Sequence, residues 1–584
     1  MDKKQVAAIL DEIGTLLELQ GANPFKSRAF HNGARTIEAL TDDLATLVES
    51  EKLTDVKGIG EGLAKVVLDL VKKGKSKDYD DLKRKIPDGV LAMTRLQGLG
   101  PKRVKILFEE LKIDSLEKLE KACQKHTIAA LEGFGTKTEE NILRSIEAAK
   151  KTSDKHLFPE ARAAADELLK SLKDLQGVAL CEVAGSLRRR KEIIGDIDLL
   201  VAASGKSKNF VFDAFTKHSS VERIVAKGDT KSSVVLHGGI ACDLRVVEKK
   251  EFPFALNYFT GSKEHNVEMR SIARKKGLSL NEYGFTKIEN APSGTRVPSC
   301  STEEDIYKAL GLAYVPPELR ENGGECAAAK TGKMPTLIDV EDLRGTFHCH
   351  TTYSDGHNTL QQMAEAAKAR GWSYWGVADH SRVAAYAGGL TPERVRKQHA
   401  EVDALNEAMK GFRIFKGTEC DILADGSLDF PDKVLATFDY VVVSIHSKFN
   451  MTAVEATKRV IKALQNKYAT FLGHPTGRLL LSRDGYPVDV KAVIDVAADF
   501  GKSIEINAHP VRLDLDWRWV RYARDKGVPI AINPDAHNVD GLDDVRYGVG
   551  IARKGWLEKK HVVNAWSVEE VERFFASVRT SKKG

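Results

Sequence analysis

The sequence has no hydrophobic run long enough to cross a bilayer. Its longest apolar stretches, such as DYVVVSI at 439–445, are strand-sized, against the ~20 residues that a spanning helix needs. It has no CxxC pair either. Its seven cysteines (123, 181, 242, 300, 326, 349 and 420) are odd in number and scattered, which argues against a disulfide scaffold and a thiolate zinc site. It lacks a strong charge of either sign: 89 basic residues against 83 acidic ones leave +6, too little to announce nucleic-acid binding by itself. The opening stretch, MDKKQVAAILDEIGTLLELQ, carries acidic residues through its apolar part and no signal-peptide cleavage site. No secretory leader is expected, and a cytoplasmic setting is.

What is present is ordinary globular composition, with 42% hydrophobic and 29% charged residues, which excludes a largely disordered chain or a collagen-like fibre. At about 100–200 residues per domain, 584 residues predict three to five domains. One count is skewed. Ten of the sixteen histidines follow residue 335, several beside Asp or Glu in strand-like contexts.

Residues 1–150 read as helices almost throughout, with 3.6-residue periodicity over Lys4–Leu19, Arg28–Leu40, Leu63–Lys73, Lys102–Leu111 and Thr138–Ala149. Between them a Gly-x-Gly turn recurs three times, at Gly58/Gly60, Gly98/Gly100 and Gly133/Gly135, each followed by a helix with a lysine near its start (Lys65, Lys102, Lys137). Two glycines let backbone N–H groups and a helix N-terminus approach a phosphate closely without reading bases. A single such turn is more often a plain helix connection, but three copies resemble helix-hairpin-helix motifs. DNA-backbone contact is expected most of the first two, because acidic Glu139 and Glu140 follow the third.

The texture changes near 176 to strand, glycine-rich turn and strand. In GDIDLL, Asp196 and Asp198 stand two apart on a predicted strand, so both carboxylates leave one face. Such a pair is costly without a cation and suits Mg²⁺. Gly185 and Ser186, followed by Arg188, Arg189 and Arg190, supply a turn amide, a hydroxyl and guanidinium forks suited to a triphosphate. Asp243 in ACDLRVV is placed to complete a two-metal site. With NYFTGSKEHNVEMRSIARKKGLSLNEYGF, these segments resemble the palm and thumb of family X DNA polymerases, the polymerase beta group, over about 1–318. The resemblance implies that Asp196, Asp198 and Asp243 hold two Mg²⁺ or Mn²⁺ ions. It implies Gly185, Ser186 and Arg189 at the triphosphate, Tyr258, Phe259 and Gly261 as a sugar-discriminating wall, Asn266 against the incoming base and Arg270 on the template. Val66 stands where that family's lyase carries its lysine nucleophile, and neighbouring Lys65 is rotated by about 100° on a helix. A lyase activity is therefore not expected.

Residues 319–336 are small, polar and glycine-rich, the composition of a linker. Beyond Leu337, strand-sized apolar runs alternate with helical stretches, which predicts a parallel α/β barrel. His348 and His350 share a face of one strand end, and Asp535 and His537 repeat that spacing. Asp355, His380, Glu419, His446 and His474 each close a short apolar run. Nine mixed nitrogen and oxygen donors exceed one metal's needs and point to two or three ions, with Mn²⁺, Zn²⁺ and Fe²⁺ all compatible. Phosphoester hydrolysis is the natural reaction of such a cluster. This half resembles the PHP family, the polymerase-and-histidinol-phosphatase domains, over 337–575. That resemblance implies His348, His350, Glu419 and Asp535 around one ion, Glu419 bridging to a second on His446 and His474, and Asp355, His380 and His537 on a third. Arg382 and Arg478 are candidate phosphate grips.

The expected architecture is an all-α lyase-like region (1–90), a fingers-like helical region (91–150), an α+β nucleotidyltransferase palm (151–250), a thumb (251–318), a linker (319–336) and a distorted α/β barrel (337–575). The expected function is a bacterial-type repair polymerase that fills short gaps in duplex DNA with dNTPs, as a monomer. Its second site would trim 3′ ends as a 3′–5′ exonuclease, with 3′-phosphatase or abasic-site cleavage open. Two alternatives remain: a polymerase fused to a small-molecule phosphatase of histidinol-phosphatase type, and a DNA-binding scaffold with a silent palm.

Overall fold

The computed structural model describes the chain except residues 2, 39, 41–43, 57, 95, 97–98, 153, 206 and 581–584. Two compact units emerge, one formed by residues 1–153 with 356–359 and 537–539, the other by the remainder.

The first unit is helical. Helices Lys3–Leu19, Pro24–Glu38 and Glu61–Lys73 bury one apolar core, with Val66 and Val67 inside it. Helices Pro101–Leu111, Leu116–Gln124 and Thr136–Thr152 share another. The second helix starts a turn earlier than its periodicity suggests. Pro24 supplies a preset first position, and the Asn23 side chain accepts from the Phe25 N–H at 2.9 Å.

The second unit begins with a five-stranded mixed sheet, ordered Val178–Val183, Asp196–Ala203, Ala241–Val247, Lys231–Leu236 and Val221–Lys227. Helices Phe158–Lys173 and Ser207–Thr216 cover it through a shared apolar core. The two central strands are parallel, and their register sets Asp198 opposite Asp243. Helices Phe252–Thr260 and Lys263–Lys275, the hairpin Leu278–Asn281/Gly284–Lys287 and helix Glu303–Leu310 follow.

Residues 319–336, whose composition suggested a linker, are packed instead. Leu319, Cys326 and Ala329 join the apolar core of the preceding thumb-like segment, together with Trp556. Arg320 is fully buried, donates to Val315 O (2.9 Å) and Glu303 (2.8 Å), and lies over the rings of Tyr307 and Tyr314. The small residues serve close packing in helix Glu325–Lys330, and Gly324 takes a left-handed turn (φ +88°) ahead of it.

The C-terminal part is a six-stranded parallel sheet in sequence order: Tyr374–Val377, Arg413–Asp421, Tyr440–Ser444, Phe471–Leu472, Ser503–Asn507 and Ile530–Asn533. The extended segment 346–350 bonds to both edges. Its Thr346 and Cys349 carbonyls accept from Gly376 and Ala378, and the His350 N–H donates to Ala536 O (2.8 Å). The sheet therefore curls into a distorted barrel. Strands buried on both faces read as continuous apolar runs, and among the described residues seven α-helices, from Leu360–Ala369 to Val545–Lys554, alternate with them.

An aromatic cluster packs against segment 346–350. The Phe347 ring lies within 5.2–6.1 Å of the rings of Tyr374, Phe415, Tyr440, Phe471 and Phe575. Phe347→Ala should cost about 3–5 kcal/mol, read by denaturant titration of the intact chain with near-ultraviolet circular dichroism. A loss below about 1 kcal/mol would contradict this role.

Candidate active sites

The carboxylates of the mixed sheet meet at the ends of its two parallel strands. Burial, and then repulsion from Asp196 and Asp243, pushes the Asp198 carboxyl up to about 6. Asp243 accepts from the Ser233 hydroxyl (2.6 Å) and pairs with Lys231 (2.5 Å). The turn beside them must be glycine: Gly185 has φ +60°, and a Cβ there would come within 2.2 Å of Asp198 Oδ2. That contact seats the short helix Gly185–Arg188 against the carboxylates.

A cavity of about 400 Å³ opens here, lined by Gly185, Ser186, Arg189, Asp196, Asp198, Tyr258, Phe259, Gly261, Asn266 and Arg270. Ser262 and Lys263, which sequence reasoning did not single out, line it too. Asp243 reaches the group through its register with Asp198. Of the three consecutive arginines only Arg189 lines the cavity, donating to Thr260 O (2.5 Å) and Glu321 (3.1 Å). Arg188 turns to the Thr260 hydroxyl (2.7 Å) and Glu303 (2.5 Å), and Arg190 lies 3.7 Å from Glu318. Asn266 is held by donation to Tyr258 O (2.7 Å), and Arg270 Nε donates to Asn266 O (3.2 Å). Tyr258 and Phe259 stack edge to face at 5.2 Å, with the Arg245 guanidinium 4.2 Å above Phe259. Beneath them His265, fully buried, bridges Glu325 (2.8 Å) and Tyr307 (2.9 Å) and so fixes the helix that carries Asn266.

In the barrel, the Glu419 carboxylate is a hub for five imidazoles: His474 (2.9 Å), His380 (3.0 Å), His446 (3.2 Å), His348 (3.3 Å) and His350 (3.7 Å). The donor atoms of His348, His350 and Asp535 lie within 4.8 Å of one another, as do those of Glu419, His446 and His474. Asp355 stands 3.8 Å from His350 and 3.6 Å from His380. His537 falls in the other compact unit, where its carbonyl accepts from the His357 N–H (2.6 Å). Two ligand candidates, His474 (φ +25°) and Asp535 (φ +53°), have left-handed backbones, a strain typical of functional positions.

Burial opposes ionisation of Glu419, but the charges of His446, His348 and His380 outweigh it and hold the carboxyl well below its usual range. Burial likewise opposes charging of His446, yet Glu419 and Asp421 push it up to about 10. These protons sit where cations fit. His348 Nε2, which faces Glu419 at 3.3 Å, is buried without a hydrogen bond, as a ring nitrogen turned toward an ion would be. The donor set of imidazoles and carboxylates suits Mn²⁺, Zn²⁺ or Fe²⁺.

Sequence reasoning missed the partners that orient these ligands. Glu505 accepts from His348 Nδ1 (2.7 Å) and from the His474 N–H (3.0 Å). Asp421 holds His446 Nδ1 (3.2 Å), and the Asn507 amide donates to Asp535 (3.0 Å). Such contacts fix tautomer and ring orientation. The available signal was a charged residue inside a fully buried strand, as in SIEIN. Arg478 is no phosphate grip: it donates to Arg512 O (3.0 Å), Leu513 O and Asp516 (2.6 Å). Arg382 is exposed near Asp429. Arg512, not singled out from sequence, lies 3.4 Å from Asp535.

In the helical unit, Gly60 and Gly100 precede helices Glu61–Lys73 and Pro101–Leu111 with extended backbones, and Gly58 and Gly133 take positive φ (+96° and +79°). A Cβ at Gly60, Gly100, Gly133 or Gly135 would meet nothing within 4 Å, so these turns face open space. Gly98 lies outside the described residues. Lys102 is exposed in the first turn of its helix. Glu139 does not oppose a phosphate as its sequence position suggested, because it is buried, accepting from His126 (2.7 Å) and the Ala129 N–H (3.0 Å). Val66 is 2% exposed, whereas Lys65 is exposed and pairs with Asp78 at 3.2 Å.

The raised Asp198 carboxyl means that the folded chain holds this proton more tightly than the unfolded chain does. Its contribution to stability is present below pH 3.8 and lost as pH rises through about 6. In chelator, Asp198→Asn should therefore be more stable than the wild type above pH 6, by about 2 kcal/mol, with the gap closing toward pH 4; a pH-independent gap in thermal melts contradicts it. The sequence-based expectation that Lys102 contacts duplex phosphates has a direct check: Lys102→Ala should weaken duplex binding a few-fold and lower the slope of log affinity against log salt by about one, read by fluorescence anisotropy.

Four family models match the chain: a helix-hairpin-helix domain at 1–76, a SAM-like helix-hairpin-helix tandem at 90–148, the DNA polymerase beta thumb at 255–321 and the PHP domain at 346–509. The DNA polymerase/3′-5′ exonuclease PolX of Bacillus subtilis is 38% identical over 576 residues, covering 98% of this chain and 99% of its own. A probable phosphatase of Acetivibrio thermocellus is 31% identical over 32% of this chain and 78% of its own. DNA polymerase lambda of Rattus norvegicus is 24% identical over 49% of this chain and 52% of its own. No helix among the described residues is long and apolar enough to cross a membrane. With helix-hairpin-helix, polymerase beta thumb and PHP models matched in that order, and a PolX relative 38% identical along nearly the whole of both chains, the chain belongs to the PolX family, the bacterial family X DNA polymerases that end in a PHP domain.

Proposed function

We propose that this chain extends a primer 3′ end across short gaps in duplex DNA by template-directed nucleotidyl transfer, and that its barrel hydrolyses 3′ ends as a 3′–5′ exonuclease. The observation that carries the first activity is Asp198 set across from Asp243 on parallel strands, with Asp196 beside it, at the mouth of a cavity lined by a glycine turn and Arg189. The second is supported by the Glu419 hub and its five imidazoles.

In the palm, Asp196, Asp198 and Asp243 are the ligands for two Mg²⁺ or Mn²⁺ ions, which when bound supply charge to the attacking and leaving oxygens. Asp243 takes part in drawing the proton from the primer 3′-hydroxyl. Ser186 and the amides of the Gly185 turn hold the triphosphate, and Arg189 neutralises it. Tyr258, Phe259 and Gly261 wall the sugar, Asn266 touches the incoming base and Arg270 the template. The Gly-x-Gly turns at Gly58/Gly60, Gly98/Gly100 and Gly133/Gly135, with Lys102, grip duplex phosphates.

In the barrel, His348, His350, Asp355, His380, Glu419, His446, His474, Asp535 and His537 hold two or three Mn²⁺, Zn²⁺ or Fe²⁺ ions, which when bound supply a hydroxide nucleophile and neutralise phosphate charge. Glu505 and Asp421 keep their histidines oriented. The enzyme works as a cytoplasmic monomer on gapped or nicked DNA with dNTPs. A second reading, hydrolysis of small phosphoesters, is favoured by the likeness of the barrel to the probable phosphatases.

Extension and degradation of a gapped duplex, measured separately, test both assignments. Asp196→Ala with Asp198→Ala should lower extension at least a thousandfold and spare degradation; Asp535→Ala with His537→Ala should do the reverse. Loss of both activities by either pair contradicts the assignment. DNA should inhibit hydrolysis of a small phosphoester if the barrel's substrate is DNA, and should leave it untouched under the second reading.

A further inference from the structure

The residues that follow the Gly185–Ser186 turn do not end in solvent; they dock on the barrel. Lys191 lies over the Trp517 ring (5.5 Å), and Glu192 accepts from Trp517 Nε1 (3.2 Å) and pairs with Arg518 (3.1 Å). At the centre stands Lys554, the last residue of helix Val545–Lys554, whose side chain is completely buried. It donates to the carbonyl of Arg189 (3.0 Å), 365 positions earlier in the chain, and to Glu321 Oε1 (2.9 Å). The same Glu321 oxygen accepts from Arg189 Nε (3.1 Å), and the other oxygen pairs with Lys191 (3.3 Å). One carboxylate is thus shared by three cations, of which only Arg189 lines the nucleotide cavity.

We propose that Lys554 of the barrel is a positioning residue for nucleotide binding in the palm: it neutralises Glu321, so that the Arg189 guanidinium is free to turn to a triphosphate. The inference rests on the polymerase reading above. A triphosphate must compete with Glu321 for the charge of the Arg189 guanidinium, whose Nε donates to that carboxylate. With Lys554 in place, Glu321 keeps a buried counter-charge and releases Arg189 at little cost. Without it, Glu321 clings to Arg189, and the cavity wall is one unit more negative where a polyanion must enter. The hydrolase half would then be part of the polymerase's substrate site, linked through a single carboxylate.

The test is steady-state dNTP incorporation on a gapped duplex by the full chain, with 3′–5′ exonuclease activity read in parallel as the measure of folding. Lys554→Met should raise KM for dNTP about tenfold, the order expected of one charge at close range, and leave kcat within about twofold. Adding Glu321→Gln should bring KM back to within about threefold of wild type, which a merely structural loss would not do. Glu321→Gln alone should lower KM, and it carries the test if Lys554→Met does not fold. Unchanged KM in the folded Lys554→Met chain, a rise that Glu321→Gln does not rescue, or unchanged KM in Glu321→Gln alone overturns the inference and leaves the polymerase reading standing. A wild-type chain that extends no primer overturns both.

Discussion

Carboxylates crowded away from water are tolerable only where positive charge offsets them. Both sites are built around that constraint. In the palm, Asp198 faces Asp196 and Asp243 with little to neutralise it, and its carboxyl is pushed up toward neutrality. In the barrel, Glu419 is deeper still, but imidazoles surround it and hold protons in its place. The first arrangement invites cations into an open cleft; the second exchanges protons for them. Metal binding should accordingly be coupled to proton release more strongly in the barrel.

The scaffold keeps those charges together against their repulsion. On strand Asp196–Ala203, spacing by two puts both aspartates on one face, and the parallel neighbour brings Asp243 into register. Gly185 leaves room for the carboxylate behind the turn. In the barrel, Glu419 lies near the C-terminal end of strand Arg413–Asp421, and segment 346–350 knits the two sheet edges while carrying His348 and His350 at its end. The ring cluster around Phe347 packs against that segment, so two ligand candidates are held by packing as well as by their hydrogen bonds to Glu505 and Asp535.

Much of this was legible in the sequence because it depends on local spacing. Periodicity found the long helices, alternation found the strands, and the i, i+2 pairs at 196/198 and 348/350 announced shared faces. What escaped depends on which way a side chain turns once distant segments meet. Three consecutive arginines look equivalent, yet Arg188 is drawn to Glu303 and only Arg189 lines the cavity. Glu139 reads as an exposed acid but is buried against His126 and the Ala129 N–H. Residues 319–336 have linker composition because Gly324 must turn left-handed and alanines must pack closely, not because the segment is loose. Glu505 and Asp421 were hidden for another reason: their partners His348, His474 and His446 lie far away in the chain, on segments that the fold brings alongside.

The proposed function requires two cation sites with separate ligand sets. Calorimetric titration of the metal-free chain with Mn²⁺ tests it most directly, comparing the wild type with Asp196→Asn/Asp198→Asn and with His446→Ala/His474→Ala. Two classes of bound ion are expected, one abolished by each pair of substitutions while the other keeps its stoichiometry and affinity. Loss of both classes from either pair, or of neither from both, would contradict it.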